Sequence, residues 1–263
     1  MTDPVAAAVA AACELDLPVD DPLLISGAAN AFVHLRPAPV LARVTMTVKR
    51  GVAALERELA FARAAGKCAA QPYSDRVFEG VTFWHLIEHR RNTPEDAAAI
   101  GQSLRDLHEA VRDADLDLVR FDRLDEVEGV ASGLDHPEKQ LMLEAIDAAR
   151  ARLAKLDFVE QPIHGDAHQR NALITPAGPL WADLENVCRG PVEYDLACMA
   201  WRTKVHGWDG GPDALSAYGP HDAELVEELM PVLAAFLVPW NSKMIDASNP
   251  MLQQRIDYLK TFV

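Results

Sequence analysis

Residues Ile163-His164-Gly165-Asp166-Ala167-His168-Gln169-Arg170-Asn171, followed by Trp181-Ala182-Asp183-Leu184-Glu185-Asn186, decide how this chain is read. Between the two segments, Ala172–Ile174 and Leu180–Ala182 read as short strands joined by a turn over Thr175–Gly178. Asn171 immediately precedes the first strand and Asp183 ends the second. A tight antiparallel hairpin brings those two ends together. An amide oxygen and the carboxylates of Asp183 and Glu185 therefore converge, with Asp166 nearby on the preceding loop. Such an all-oxygen cluster is hard and suits Mg²⁺, which keeps waters and takes its other ligands from substrate phosphates. One carboxylate can then accept a proton from a hydroxyl while the others hold metal on a triphosphate.

Taken singly, these residues have blander readings. Asp166 alone is a loop turn former, and Asp183 alone a strand-end residue. Their combination with Asn171 at this spacing is what points to chemistry. His164, Asp166 and His168 also spell H-x-D-x-H, the pattern of a metal hydrolase. That reading lacks a partner motif such as H-E-x-x-H and leaves Asn171 and Asp183 unexplained. No G-x-S-x-G occurs, which argues against a serine hydrolase. Gly207–Pro212 reads as a turn without the G-K-[ST] of a P-loop.

Outward from this segment the chain has two textures. From Leu23 to Glu88 it is mostly strand-like, with Leu23–Ile25, Phe32–Leu35, Val40–Val48 and Val81–Ile87 as strands. One helix interrupts them, carrying Leu55, Leu59 and Ala62 on one face and ending at Gly66. Glu88–Thr93 reads as a hinge. Beyond it Thr93, Pro94 and Asp96 form a helix start with a capping box, and Ile100, Leu104, Leu107 and Val111 follow at helical spacing. Further helices are expected over Pro137–Lys155, Tyr194–His206, Asp222–Phe236 and Pro250–Phe262.

The 263 residues suffice for two lobes around a real core, and 49% hydrophobic with 25% charged residues is an ordinary globular mix. The net charge of −15 repels nucleic acid and anionic membranes and favours a cationic substrate; acidic helix faces that keep the protein soluble account for the same charge. Met230–Trp240 is too short and too interrupted by proline to cross a bilayer. Val5–Ala12 lacks the basic region of a signal peptide and reads as a short amphipathic helix. Cys13, Cys68, Cys188 and Cys198 have no metal or redox spacing and read as reduced thiols of a cytoplasmic protein.

The order H-G-D-x-x-x-x-N, then D-x-[DE], then Tyr194-Asp195-Leu196-Ala197 resembles the aminoglycoside phosphotransferase/choline kinase family. The resemblance implies an α+β, protein-kinase-like fold of two lobes. Residues 1–90 would form a small β-rich nucleotide-binding lobe with one main helix. Residues 91–263 would form a larger, mostly helical lobe for catalysis and acceptor binding. It implies transfer of the γ-phosphoryl group of ATP, with Mg²⁺, to a hydroxyl of a polar small molecule such as an aminoglycoside, an amino sugar or a choline-like alcohol. Asp166 then resembles the catalytic base, and Asn171 and Asp183 the metal ligands. Glu185 takes the second acidic position of the metal motif, as a ligand or as a support. His164 and His168 shape the catalytic loop, and Asp195 resembles the buried aspartate that anchors it through backbone amides. Ser26, Gly27 and Asn30 resemble the turn over the nucleotide phosphates, and Glu88 and His89 lie on the segment that binds adenine. Glu58 resembles the helix glutamate that pairs with a strand lysine. The chain departs from the pattern there by offering Arg43, whose planar fork replaces a point charge. That departure motivates the rival reading of a nucleotide-binding pseudokinase with a regulatory or scaffolding role.

Overall fold

The computed structural model describes residues 3–27, 30–46 and 51–263. Helix α1 (Pro4–Cys13) is capped by Asp3 and leads into an antiparallel sheet of β1 (Val19–Gly27), β2 (Asn30–Pro37), β3 (Val40–Thr45) and β4 (Val81–His85), in that order. Alternation along β2 buries Ala31, Val33 and Leu35, and α1 lays Ala8, Ala11 and Ala12 against the same face. Helix α2 (Val52–Ala65) connects β3 to β4 and turns Leu59, Phe61 and Ala62 into the larger core of the molecule. The tip of the β1–β2 turn, Ala28–Ala29, and the Thr47–Val48 end of the expected third strand lie outside the described residues.

The second region is helical. Thr93 and Asp96 form the expected capping box, Arg90 grips Asp96 through two bonds of 2.7 Å, and α3 (Ala97–Val111) follows. Helices α4 (Leu124–Ser132) and α5 (Lys139–Leu153) come next. Two small antiparallel pairs then carry the loops: β5 (Gln161–Ile163) with β8 (Cys188–Gly190), and β6 (Ala172–Thr175) with β7 (Gly178–Trp181). Helices α6 (Val192–His206), α7 (Gly211–Tyr218), α8 (Ala223–Met244) and α9 (Pro250–Leu259) complete the bundle. Among the described residues, no helix is long and apolar enough to cross a membrane.

Three elements depart from expectation. Helix α4 was not anticipated. Helix α7 begins at Gly211, inside the segment read as a turn. It packs so closely on α3 that a Cβ on Gly101 would lie 1.9 Å from the Ala214 carbonyl oxygen. Helix α8 continues past Phe236 through Pro239. A proline inside a helix costs about 3 kcal/mol, and the burial of Leu229, Leu233 and Val238 along α8 offsets it.

Candidate active site

The hairpin β6–β7 closes as expected. The Ala182 amide donates to the Asn171 carbonyl at 2.8 Å, which holds the two ends of the hairpin side by side. Asp183 follows with φ 58° and ψ 56°, a left-handed conformation that aspartate tolerates better than most residues. The same turn carries Glu185. On the preceding loop, Asn171 Nδ2 donates to the Asp166 carbonyl at 3.0 Å. That bond leaves the Asn171 amide oxygen as its remaining polar group. Asp166, Asn171, Asp183 and Glu185 thus lie on adjoining loops at one end of the hairpin. The Asp166 carboxyl is pushed well above the usual carboxylate range, first by burial and then by Asp183, Glu185 and Asp195. Its side chain is still 28% exposed, so one side opens to the cleft.

Asp195 holds the loop from beneath. Its side chain is fully buried; Oδ1 accepts the Gly165 amide at 2.8 Å and Oδ2 accepts the His164 amide at 2.8 Å. Gly165 has φ +79°, and a Cβ there would sit 2.1 Å from the Asn186 carbonyl oxygen, so the loop passes the metal-motif turn only as glycine. His164 bonds the Ala182 carbonyl through Nε2 at 3.0 Å and stands edge-on to Trp181; burial holds its pKa down, so the ring stays neutral. His168 Nε2 lies 3.8 Å from Asp166, and burial, Arg202 and His164 push its pKa down to about 3.

Two supports were not found from sequence. His108 of α3 donates Nε2–H to Asp195 at 2.9 Å, and its Nδ1 meets the Tyr218 hydroxyl of α7 at 2.9 Å. The only local signal was a histidine on the buried face of α3 between Leu104, Leu107 and Val111.

Arg43 and Glu58 are paired across β3 and α2, as their resemblance implied, and both are almost wholly buried. The pair is internal and not a surface bridge. Its second arm reaches Glu185 at 2.8 Å, and Asn30 Nδ2 donates to the same Glu185 oxygen at 2.9 Å. Burial opposes the charge on Arg43, but Glu58, Glu185 and Asp183 outweigh it and raise its pKa. Arg43 therefore ties the sheet lobe to the metal-motif turn. Lysine, a single point charge, would not span both carboxylates as a planar fork does. Arg43→Lys is expected to lower stability by about 1–2 kcal/mol, measured by denaturant unfolding.

Ser26 and Gly27 end β1 at exposed positions, with Asn30 opening β2 across the turn. Glu88 and His89 lie exposed beyond β4, where His89 Nδ1 meets the Ile87 carbonyl at 2.9 Å. The described residues include no group of three His, Cys, Asp or Glu side chains placed to hold a metal. Among the described residues His164, Asp166 and His168 therefore do not form the cluster that a hydrolase reading needs. An amide oxygen beside carboxylates instead fits a hard divalent cation that takes its other ligands from phosphate and water.

The model of the phosphotransferase enzyme family matches residues 53–234. No curated protein matches the chain by sequence. Among solved structures, choline kinase LicA from Streptococcus pneumoniae is similar at TM-score 0.76 and 13% identity, covering 96% of this chain and 96% of that one. APH(2")-IIa in its gentamicin complex gives TM-score 0.71 at 15% identity, covering 99% and 97%. Amicoumacin kinase hAmiN, in complex with AMP-PNP, Ca²⁺ and Ami, gives 0.71 at 13%, covering 91% and 88%. The fold is kinase-like, and the chain belongs to the phosphotransferase enzyme family, as a small-molecule phosphotransferase with a hydroxyl acceptor.

Proposed function

We propose that this chain transfers the γ-phosphoryl group of ATP to a small-molecule hydroxyl with Mg²⁺, using Asp166 as the base. The observation that carries the reading is the hairpin closure that puts Asn171 beside Asp183, with Asp166 bonded to Asn171 through its backbone. Asn171 and Asp183 would hold the metal, and Glu185 would back them while anchoring Arg43. Bound there, the ion would neutralise charge on the phosphates. Asp166 accepts the acceptor's hydroxyl hydrogen, aligns that oxygen, and takes the proton as the new O–P bond forms and the γ-phosphorus parts from the bridging oxygen, releasing ADP. Asp195, backed by His108, fixes the His164–Gly165 backbone that leads into Asp166, so alignment is set before the acceptor arrives. Ser26, Gly27, Asn30, Glu88 and His89 border the nucleotide side. Arg43 and Glu58 act there by bracing the sheet against Glu185, a role that the planar fork of arginine fits.

The test is release of ADP from Mg–ATP over a panel of sugars, amino sugars, aminoglycosides, choline-like alcohols and hydroxy acids. Acceptor-dependent ADP release is expected. Firm ATP binding with no acceptor-dependent turnover across the panel would overturn the reading and favour a pseudokinase.

A further inference from the structure

A cavity of about 150 Å³ opens beside Asp166, between α6, α8 and α9. Trp201 and Leu237 give it apolar wall, while Arg202, Asn241 and Arg255 give it polar groups. Arg202 is 7% exposed, and its Nε is buried with no hydrogen-bond partner. Among the described residues neither Arg202 nor Arg255 forms an ion pair; Arg255 bonds instead to Asn241 and, at 3.3 Å, to His206. A buried guanidinium without an ion-pair partner is costly, and the part-buried Arg255 lining the same cavity adds to that cost.

The field of these groups is felt around them. Burial, Arg170 and Arg255 lower the pKa of Arg202 to about 10, with Asp166 opposing. His206 is pushed down to about 4 by burial, Arg202, Arg255 and Arg170. In a chain of net charge −15, the cavity facing the base is therefore cationic. The overall charge suggests a cationic acceptor; the local charge suggests the reverse, and local charge governs contact binding because exposed distant charges are screened.

We infer that the acceptor carries an anionic group, a carboxylate or a phosphate, held by Arg202 and Arg255 in the cavity beside Asp166. The inference rests on the proposed role of Asp166 as the base that faces the acceptor. Planar guanidinium forks match both anions in bidentate geometry. A cavity of this size encloses about six to eight non-hydrogen atoms, judged from the benzene-sized ligands that cavities of similar volume hold. A small hydroxy acid fits; its hydroxyl faces Asp166 while its anion meets the arginines.

Isothermal titration calorimetry on the full chain saturated with Mg–AMP-PNP tests this. The probes are glycerate, 4-hydroxybutyrate and 2-hydroxyethyl phosphate, set against glycerol and choline. The anionic probes are expected to bind at least about tenfold more tightly than glycerol and choline, with carboxylate and phosphate arms separating the two anions. Arg202→Met and Arg255→Met should each weaken anion binding at least about tenfold while leaving AMP-PNP affinity unchanged. Arg255 is the half-exposed member, so its variant keeps the test open if the Arg202 variant misfolds. Choline binding as tightly as the anions, variants that bind anions normally, absence of anion binding to the wild type, or anion binding only without nucleotide would each overturn the inference. ADP release on the same mixtures separates the two readings. Anions that bind as expected, with no acceptor-dependent turnover in any mixture, would defeat the kinase reading alone. Turnover of choline but of no anion would defeat this one alone.

Discussion

Asp166→Ala is expected to slow phosphoryl transfer by about 10²–10⁴-fold, the usual contribution of a positioned general base. Mg–ATP affinity should change by less than about threefold, because the substitution removes a group that acts on the acceptor and not on the nucleotide. The backbone carbonyl of Asp166, which accepts from Asn171 Nδ2, is untouched, so the Asn171 end of the metal cleft keeps its support. Removing one of several mutually repelling carboxylates should also relieve repulsion, since Asp183 and Glu185 both raise the Asp166 pKa. The variant should therefore be no less stable than the wild type. Single-turnover kinetics with thermal unfolding as a control measure both quantities. Near-native turnover in a folded Asp166→Ala protein would remove Asp166 from its role. Asp166→Asn refines the test: the amide oxygen still accepts a hydrogen bond from the acceptor hydroxyl but cannot take its proton. If alignment alone mattered, Asn would restore most of the rate. If proton transfer contributes, Asn should stay close to Ala.

Local chemistry made this part of the molecule legible. The β6–β7 hairpin shows in sequence because Ala172–Ile174 and Leu180–Ala182 flank a turn containing Pro176 and Gly178. The start of α3 shows because Thr93, Pro94 and Asp96 satisfy the first helical amides by themselves. What stayed hidden depends on partners far away in the chain. Gly211 reads as a breaker, yet the helix that starts there needs it, since a Cβ would come within 1.7 Å of the Thr203 hydroxyl oxygen. His108 meets Tyr218 across 110 positions, with no local trace of the pairing. Glu185 looked like one more metal carboxylate, and its bond to Arg43 joins two lobes that sequence treats separately. Arg202 and Arg255 did leave a signal. Each stands in a helix beside buried apolar residues, Trp201 and Val205 for one and Ile256 for the other, where charge is otherwise scarce.

Asp195→Ala should be the most damaging change for stability, although Asp195 lies beneath the reactive cleft. One buried carboxylate satisfies three donors, the His164 and Gly165 amides at 2.8 Å and His108 at 2.9 Å. Each buried donor left without a partner costs about 1–3 kcal/mol, so the loss should be about 3–6 kcal/mol. For a chain of this size that lowers Tm by on the order of 10 °C. Asp195→Asn keeps one acceptor oxygen and turns its NH₂ toward a donor, so it should recover only part of the loss. Turnover should fall with stability, because the two amides immediately precede Asp166 and a free loop would no longer hold its carboxylate against the acceptor. Tyr218→Phe tests the far end of the same chain of bonds. It removes only the hydroxyl that meets His108, so a smaller loss of about 1 kcal/mol is expected, with kcat falling more than KM rises. A thermal midpoint and a turnover rate that both stay native in Asp195→Ala would show that the loop is held by something other than this carboxylate.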